Sequence, residues 1–137
     1  MFDSIMVPVD LHMDPMVSKA MDVAGDLAKL YDAKITLVSV TGSVVTEAPH
    51  TPEKARAALS AIATSLESKT GISVTAHNIT SPDVPAEVDS ALMHAVDIVG
   101  ADLVVVGSHV PGLVEYMFSS HAGKLASHSK VSVFVVR

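Results

Sequence analysis

The sequence predicts an α/β fold, a single doubly wound five-stranded parallel sheet with helices on both faces. Three observations carry this. Apolar strand-like runs alternate with segments of helical period in the order β-α-β-α-β-α-β-α-β, the pattern of parallel crossovers. The run Leu103-Val104-Val105-Val106 is continuously apolar, as in a strand covered on both faces. Hydrophobic residues make up 49% of the 137 and aromatics only 4%, so the core is aliphatic, as such a sheet under helices requires. A chain of this length suits one domain, residues 1–137, without linker, repeat or low-complexity segment.

The first strand is read over Ser4–Asp10, with Pro8 near its end because it cannot donate to a ladder. Asp14 and Pro15 supply a cap and a first-turn proline. Val17, Ala20, Met21, Ala24, Leu27, Ala28 and Tyr31 then fall at helical spacing, giving a helix over about 15–31. Ile35–Val40 is the second strand, closed by Thr41-Gly42, and 43–52 is a connector. Thr51-Pro52 opens a second helix whose buried face is read as Ala55, Ala58, Leu59, Ile62 and Leu66, with Gly71 after its end. Ile72–Ile79 alternates and is read as a half-exposed strand near an edge; residues 80–85 form a turn and 85–99 a third helix. Leu103–Gly107 is the fourth strand. Ser119 and Ser120 belong to the first turn of a fourth helix, and 131–137 is a fifth strand.

A net charge of -6 argues against nucleic acid, whose phosphates need Lys/Arg surfaces. Without cysteine there is no disulfide, thiol catalysis or thiolate-bound zinc, which is compatible with a reducing cytosol. No basic and apolar leader precedes the first strand, and no apolar run reaches the roughly 18 residues of a membrane span. The expectation is a soluble, cytoplasmic protein that touches no membrane.

Open sheets of this kind bind ligands beyond the carboxyl ends of their strands, where the winding reverses. If strands one and four flank that reversal, Asp10, Val40 and Gly107 gather at one crevice. The strand that stops at Gly107 and the helix that opens with Ser119 and Ser120 make an anion site. Unpaired N–H groups and the positive end of the helix dipole favour phosphate there, and serine hydroxyls add donors.

Over nearly its whole length the chain resembles the universal stress protein family. Ile5-Met6-Val7-Pro8-Val9-Asp10 is similar to that family's first strand ending in Pro-x-Asp, and Ala101–His109 to its Ala-Asp-Leu-hydrophobic-Gly-Ser-His segment. Ser120-His121-Ala122-Gly123-Lys124, Ser127-His128 and Val133–Arg137 resemble its carboxyl-terminal pattern. The long nucleotide motif of the family, Gly-x2-Gly-x9-Gly-Ser/Thr, is not kept: Val110 and Ser119 stand where glycines are expected, and the span from Gly107 to Ser120 is one residue shorter. A shorter family variant, Gly/Ala-Ser-His-x-Pro-x4-Tyr-x2-Gly-Ser-x-Ala, is matched in register by Ser108, His109, Pro111, Tyr116, Ser120 and Ala122. Serine at 119 puts a Cβ and hydroxyl where phosphate meets bare backbone, and it also adds a donor. The resemblance implies a Rossmann-like sheet of HUP type that binds adenine nucleotide, ATP, ADP or AMP, with or without Mg2+.

In that reading the Asp10 carboxylate or its backbone contacts adenine or ribose; a turn or capping aspartate is the alternative. Pro8, Val9, Val40 and Val106 wall the base, or are plain core. Gly107 lets backbone approach the ligand, although the turn needs a glycine anyway. Ser120 leads the phosphate contacts, with Ser119, His109, His121 and Ala122 around it; His109 as a backbone-bonded loop residue and Ser119 as a plain cap are the alternatives. Tyr116 packs the loop. Lys124, one turn past Ser120, either reaches a terminal phosphate or is a solvated helix lysine. The seven histidines include no i,i+4 pair on one helix, so no metal site is read.

Three functions compete: a nucleotide-binding module that regulates a partner or a stress response, a dimeric interaction module that has lost nucleotide, and a slow ATP hydrolase. Enzymatic chemistry is the weakest, since the loop offers no general base placed to orient water. A homodimer through the terminal strand 131–136 is expected in all three, because an apolar edge strand is a hazard unless paired.

Overall fold

The computed structural model describes residues 1–11, 15–42, 51–82, 84–108 and 118–137, without the side chains of 15, 16, 84–86 and 118–121. Along these the chain forms β1 (Ser4–Pro8), α1 (Pro15–Tyr31), β2 (Lys34–Gly42), α2 (Pro52–Thr70), β3 (Val74–Ser81), α3 (Val84–Val99), β4 (Leu103–Gly107), α4 (Phe118–His128) and β5 (Ser132–Val136). The strands lie in the order β3-β2-β1-β4-β5, and every neighbouring pair is parallel. From β1 the chain steps outward to β2 and β3, returns through α3 to the other flank of β1, and ends at β5. The winding therefore reverses between β1 and β4.

Successive strand residues face opposite sides, so each central strand feeds two cores. Ile5 and Val7, Ile35 and Leu37, Leu103 and Val105 pack with Ala20, Ala24 and Ala28 of α1 and with Leu59 and Ala63 of α2. Met6, Val38, Val104 and Val106 pack on the other face with Leu92, Ala95 and Val96 of α3 and with Ala122 and Leu125 of α4. The alanines of α1 recur every fourth residue, a small-residue stripe that brings the helix close to the sheet.

The element boundaries follow pairing and capping more than composition. β1 stops at Pro8, two residues before the expected end, whereas β2 runs on to Gly42 because Thr41 and Gly42 still pair with Thr80 and Ser81. By the same pairing β3 is shifted to Val74–Ser81, and it lies at the sheet edge as expected. On α2, the Thr51 hydroxyl accepts from the Lys54 amide at 3.2 Å and Pro52 opens the first turn. Gly71 ends the helix at φ 72°, a left-handed conformation that costs a side chain-bearing residue about 1–2 kcal/mol, with its amide donating to the Glu67 carbonyl at 2.8 Å. The buried stripe of α2 is Ala55, Leu59, Ala63 and Leu66, which corrects the expected face. Ala58 is exposed and Ile62 half-buried, since both lie to one side of a stripe that advances by fours.

Candidate functional site

The carboxyl ends of β1 and β4 part from one another, and the backbone shows why. The Asp3 carbonyl accepts from the Lys34 amide at 3.1 Å, and the Val9 amide donates to the Val38 carbonyl at 2.8 Å, so odd-numbered residues here bond toward β2. The Ser4 carbonyl accepts from the Asp102 amide at 2.9 Å, so even-numbered residues bond toward β4. Pro8 is even. Its nitrogen faces β4 and has no hydrogen to give. The β1–β4 pairing runs Ile5↔Leu103 and Met6↔Val104 and goes no further. On its other side β4 stays paired with β5 through Gly107↔Val136, and the Ser108 amide then donates to the Val136 carbonyl at 2.7 Å. Pro8 thus opens the sheet on one flank of β4 while the other flank stays closed.

Around this opening the structure brings several of the expected residues together. Pro8 is buried at the end of β1; Asp10, half-buried, follows one residue beyond the Val9 bond to β2. Gly107 is half-buried at the end of β4, and Val40 half-buried near the end of β2. α4 begins at Phe118, so Ser119, Ser120 and His121 lie in its first turn, where backbone N–H groups have no partner within the helix. A helix lying between two parallel strands runs back along the sheet, which sets that first turn at the strands' carboxyl end. His109, Val110, Pro111 and Tyr116 fall outside the described residues.

The valines expected to wall a base do not share a face. Val9 packs with α1 and α2, whereas Val40 and Val106 pack with α3 and α4. Ala122 is buried in the second of these clusters beside Leu125, anchoring α4 on the sheet. Other polar groups at this end were not singled out from the sequence. The buried Ser39 hydroxyl accepts from the Asn78 amide nitrogen at 2.8 Å, and Asn78 Oδ1 accepts from the Thr41 hydroxyl at 3.2 Å. The available signal was polar residues interrupting the apolar run at the end of β2.

Lys124 is tied rather than solvated alone: its ammonium donates to Asp89 Oδ2 of α3 at 2.5 Å. Lys69, whose ammonium is held above its usual range by the hydrogen bond it donates to Asp22 and by that carboxylate's charge, bridges α2 and α1. A shallow cleft of about 260 Å³ lies between α3 and the end of α4, lined by Met93, His94, Val96, Asp97, His128, Ser129 and Lys130. Met93 to Asp97 lie toward the carboxyl end of α3, and His128, Ser129 and Lys130 end and follow α4, so the cleft is at the opposite end of the sheet from the β1–β4 opening. Among the described residues no three His, Asp or Glu side chains converge to hold a metal ion, and no helix is long and apolar enough to cross a membrane.

The family model described as universal stress protein family matches residues 1–137. In three dimensions the chain is similar to the universal stress protein from Archaeoglobus fulgidus, with a TM-score of 0.73 and 19% identity over 100% of both chains. It is also similar to that organism's universal stress protein in complex with dAMP, at 0.69 and 20% identity over 98% of each chain. A universal stress protein family protein from Arabidopsis thaliana with AMP bound matches at 0.62 and 20% identity, over 98% of this chain and 90% of that one. No curated protein matches the chain in sequence.

Proposed function

The chain belongs to the universal stress protein family, and from that premise we propose that it is a cytoplasmic adenine-nucleotide-binding module whose occupancy regulates a partner or a stress response. One observation carries the reading: the β1–β4 ladder ends at Met6↔Val104 where the winding reverses, at the end of the sheet to which the first turn of α4 belongs. Structurally similar proteins hold dAMP and AMP, which supports an adenine ligand here. In this reading the whole of 1–137 is one nucleotide-binding domain. Pro8, Val40 and Val106 flank the base, the strand-end backbone at Val9 and Gly107 approaches it, and Asp10 takes a ribose hydroxyl. Phosphates meet the amides and hydroxyls of Ser119 and Ser120, with His109 and His121 beside them and Ala122 seating the helix. AMP or ATP fits this donor set, with Mg2+ accompanying the triphosphate. Occupancy, not turnover, is the output.

The free chain edge favours a homodimer. β5 is one of the two edge strands of the sheet, and Phe134 on it is 47% exposed. An apolar edge of this kind is hidden by pairing with a second copy. A sedimentation mass of twice 14.3 kDa is expected.

Thermal melting with increasing ATP or AMP tests the nucleotide reading. Binding to the native state alone raises Tm continuously with ligand, by about 2.7 kcal/mol of stability at a hundredfold excess over Kd. An unchanged Tm at millimolar nucleotide leaves only the paired interaction module.

A further inference from the structure

β2 outruns β1. The last β1–β2 pair is Pro8↔Val38, and the Val9 amide then donates to the Val38 carbonyl at 2.8 Å. Pairing with β3 continues from Ser39↔Asn78 to Gly42↔Ser81, so this end of β2 is held in the sheet from one side only. The Lys34 amide donates to the Asp3 carbonyl and the Val38 carbonyl accepts from Val9, so even-numbered residues of β2 turn their main chain toward β1. The Ile35 amide donates to the Ser73 carbonyl, so odd-numbered residues turn theirs toward the β3 side. Val40 is the next even residue, two places past the partner of Pro8. Its N–H and C=O therefore face the side that the β1 ladder has left.

Both residues flanking Val40 are tied to one side chain. Asn78 of β3 donates from its amide nitrogen to the Ser39 hydroxyl at 2.8 Å, and its Oδ1 accepts from the Thr41 hydroxyl at 3.2 Å. Ser39 is buried and Asn78 half-buried. A two-stranded stretch of sheet twists more than one paired on both sides. A carboxamide bridging β3 to both neighbours of Val40 resists that twist. We propose that Asn78 is a positioning residue for the base, a step that rests on the adenine-nucleotide reading of the opening. By tying Ser39 and Thr41 it fixes the direction of the Val40 N–H and C=O, a donor beside an acceptor. A 6-aminopurine presents the complement on one edge, its N1 acceptor beside its N6 donor. A 6-oxopurine carries the opposite pair, N1–H beside O6, so a fixed main-chain edge disfavours it. Asn78 itself touches no ligand; it sets the selectivity between the two bases.

Isothermal titration of AMP and inosine monophosphate into the native chain, Asn78→Ala, Thr41→Val and Asn78→Asp tests this. The native chain is expected to favour AMP by about tenfold, since the wrong base leaves polar groups of the site unpaired. Asn78→Ala weakens AMP by about fivefold and leaves inosine monophosphate within about twofold, so most of the preference is lost. Thr41→Val removes one of the two ties with little change of shape. It loses a smaller part of the preference, and it carries the test should Asn78→Ala not fold. Asn78→Asp keeps an acceptor for both hydroxyls, and its added charge acts equally on two ligands of equal charge, so the native ratio returns. A bracket that only stabilises the fold would lower Tm and weaken both nucleotides together. That outcome, or a native chain that binds the two equally, overturns the proposal. A native chain that binds neither nucleotide overturns the nucleotide reading and this inference with it, whereas AMP binding with a ratio unmoved by Asn78→Ala overturns this inference alone.

Discussion

β1 and β4 are adjacent in the sheet, yet the two ends of their pairing are built in opposite ways. At the amino end the Asp102 carboxylate accepts from the Asp3 amide at 2.8 Å and the Ser4 amide at 3.1 Å, while the Asp102 amide donates to the Ser4 carbonyl at 2.9 Å. Three bonds clamp the strands there. At the carboxyl end Pro8 withholds the next bond, and pairing ceases after Met6↔Val104. One acidic residue closes the pair and one proline opens it. Asp102 belongs to the family-like segment Ala101–His109, and it lies at the far end of the sheet from the crevice. A residue in a motif need not touch the ligand that the motif accompanies.

The contrast yields a ranked pair of tests. Asp102→Ala has the larger effect on stability. It leaves two strand amides without their charged acceptor, at a cost of about 2 kcal/mol and roughly 6–8 °C in Tm. Nucleotide affinity stays unchanged, because the clamp is at the amino end. A comparable loss of affinity would show that the two ends act as one unit. Pro8→Val has the smaller effect on stability. The new amide faces β4 and gains a bond of about 1 kcal/mol, offset by the greater freedom of the unfolded chain without proline. Its readouts are hydrogen exchange at position 8, slowed once the ladder extends, and nucleotide affinity, lowered about tenfold as the crevice narrows. Fast exchange with native affinity would mean that the proline does not set the opening.

Much of this frame was legible in the sequence. Continuous apolar runs marked β4, Thr51-Pro52 and Gly71 marked both ends of α2, and Ser119-Ser120 marked the first turn of α4. The exit of β1 at Pro8 was legible as a missing donor, but the side toward which the donor was missing depends on strand order. Which face Val9 takes, against Val40 and Val106, follows from register and so could not be read from apolar character alone. Ala58 and Ala63 are chemically identical, and only the packing of α2 chooses between them. The tie from Lys124 to Asp89 joins residues 35 positions apart on different helices, for which no local pattern exists.

The proposed function requires an adenine nucleotide at the opening beside Pro8. Titrating AMP into isotopically labelled protein and following backbone amide resonances tests it residue by residue. Asp10, Gly107 and Ser119 through Ala122 are expected to shift with a common Kd while Asp3, Ser4 and Asp102 hold still. Shifts confined to the amino end, or none at millimolar AMP, would contradict it.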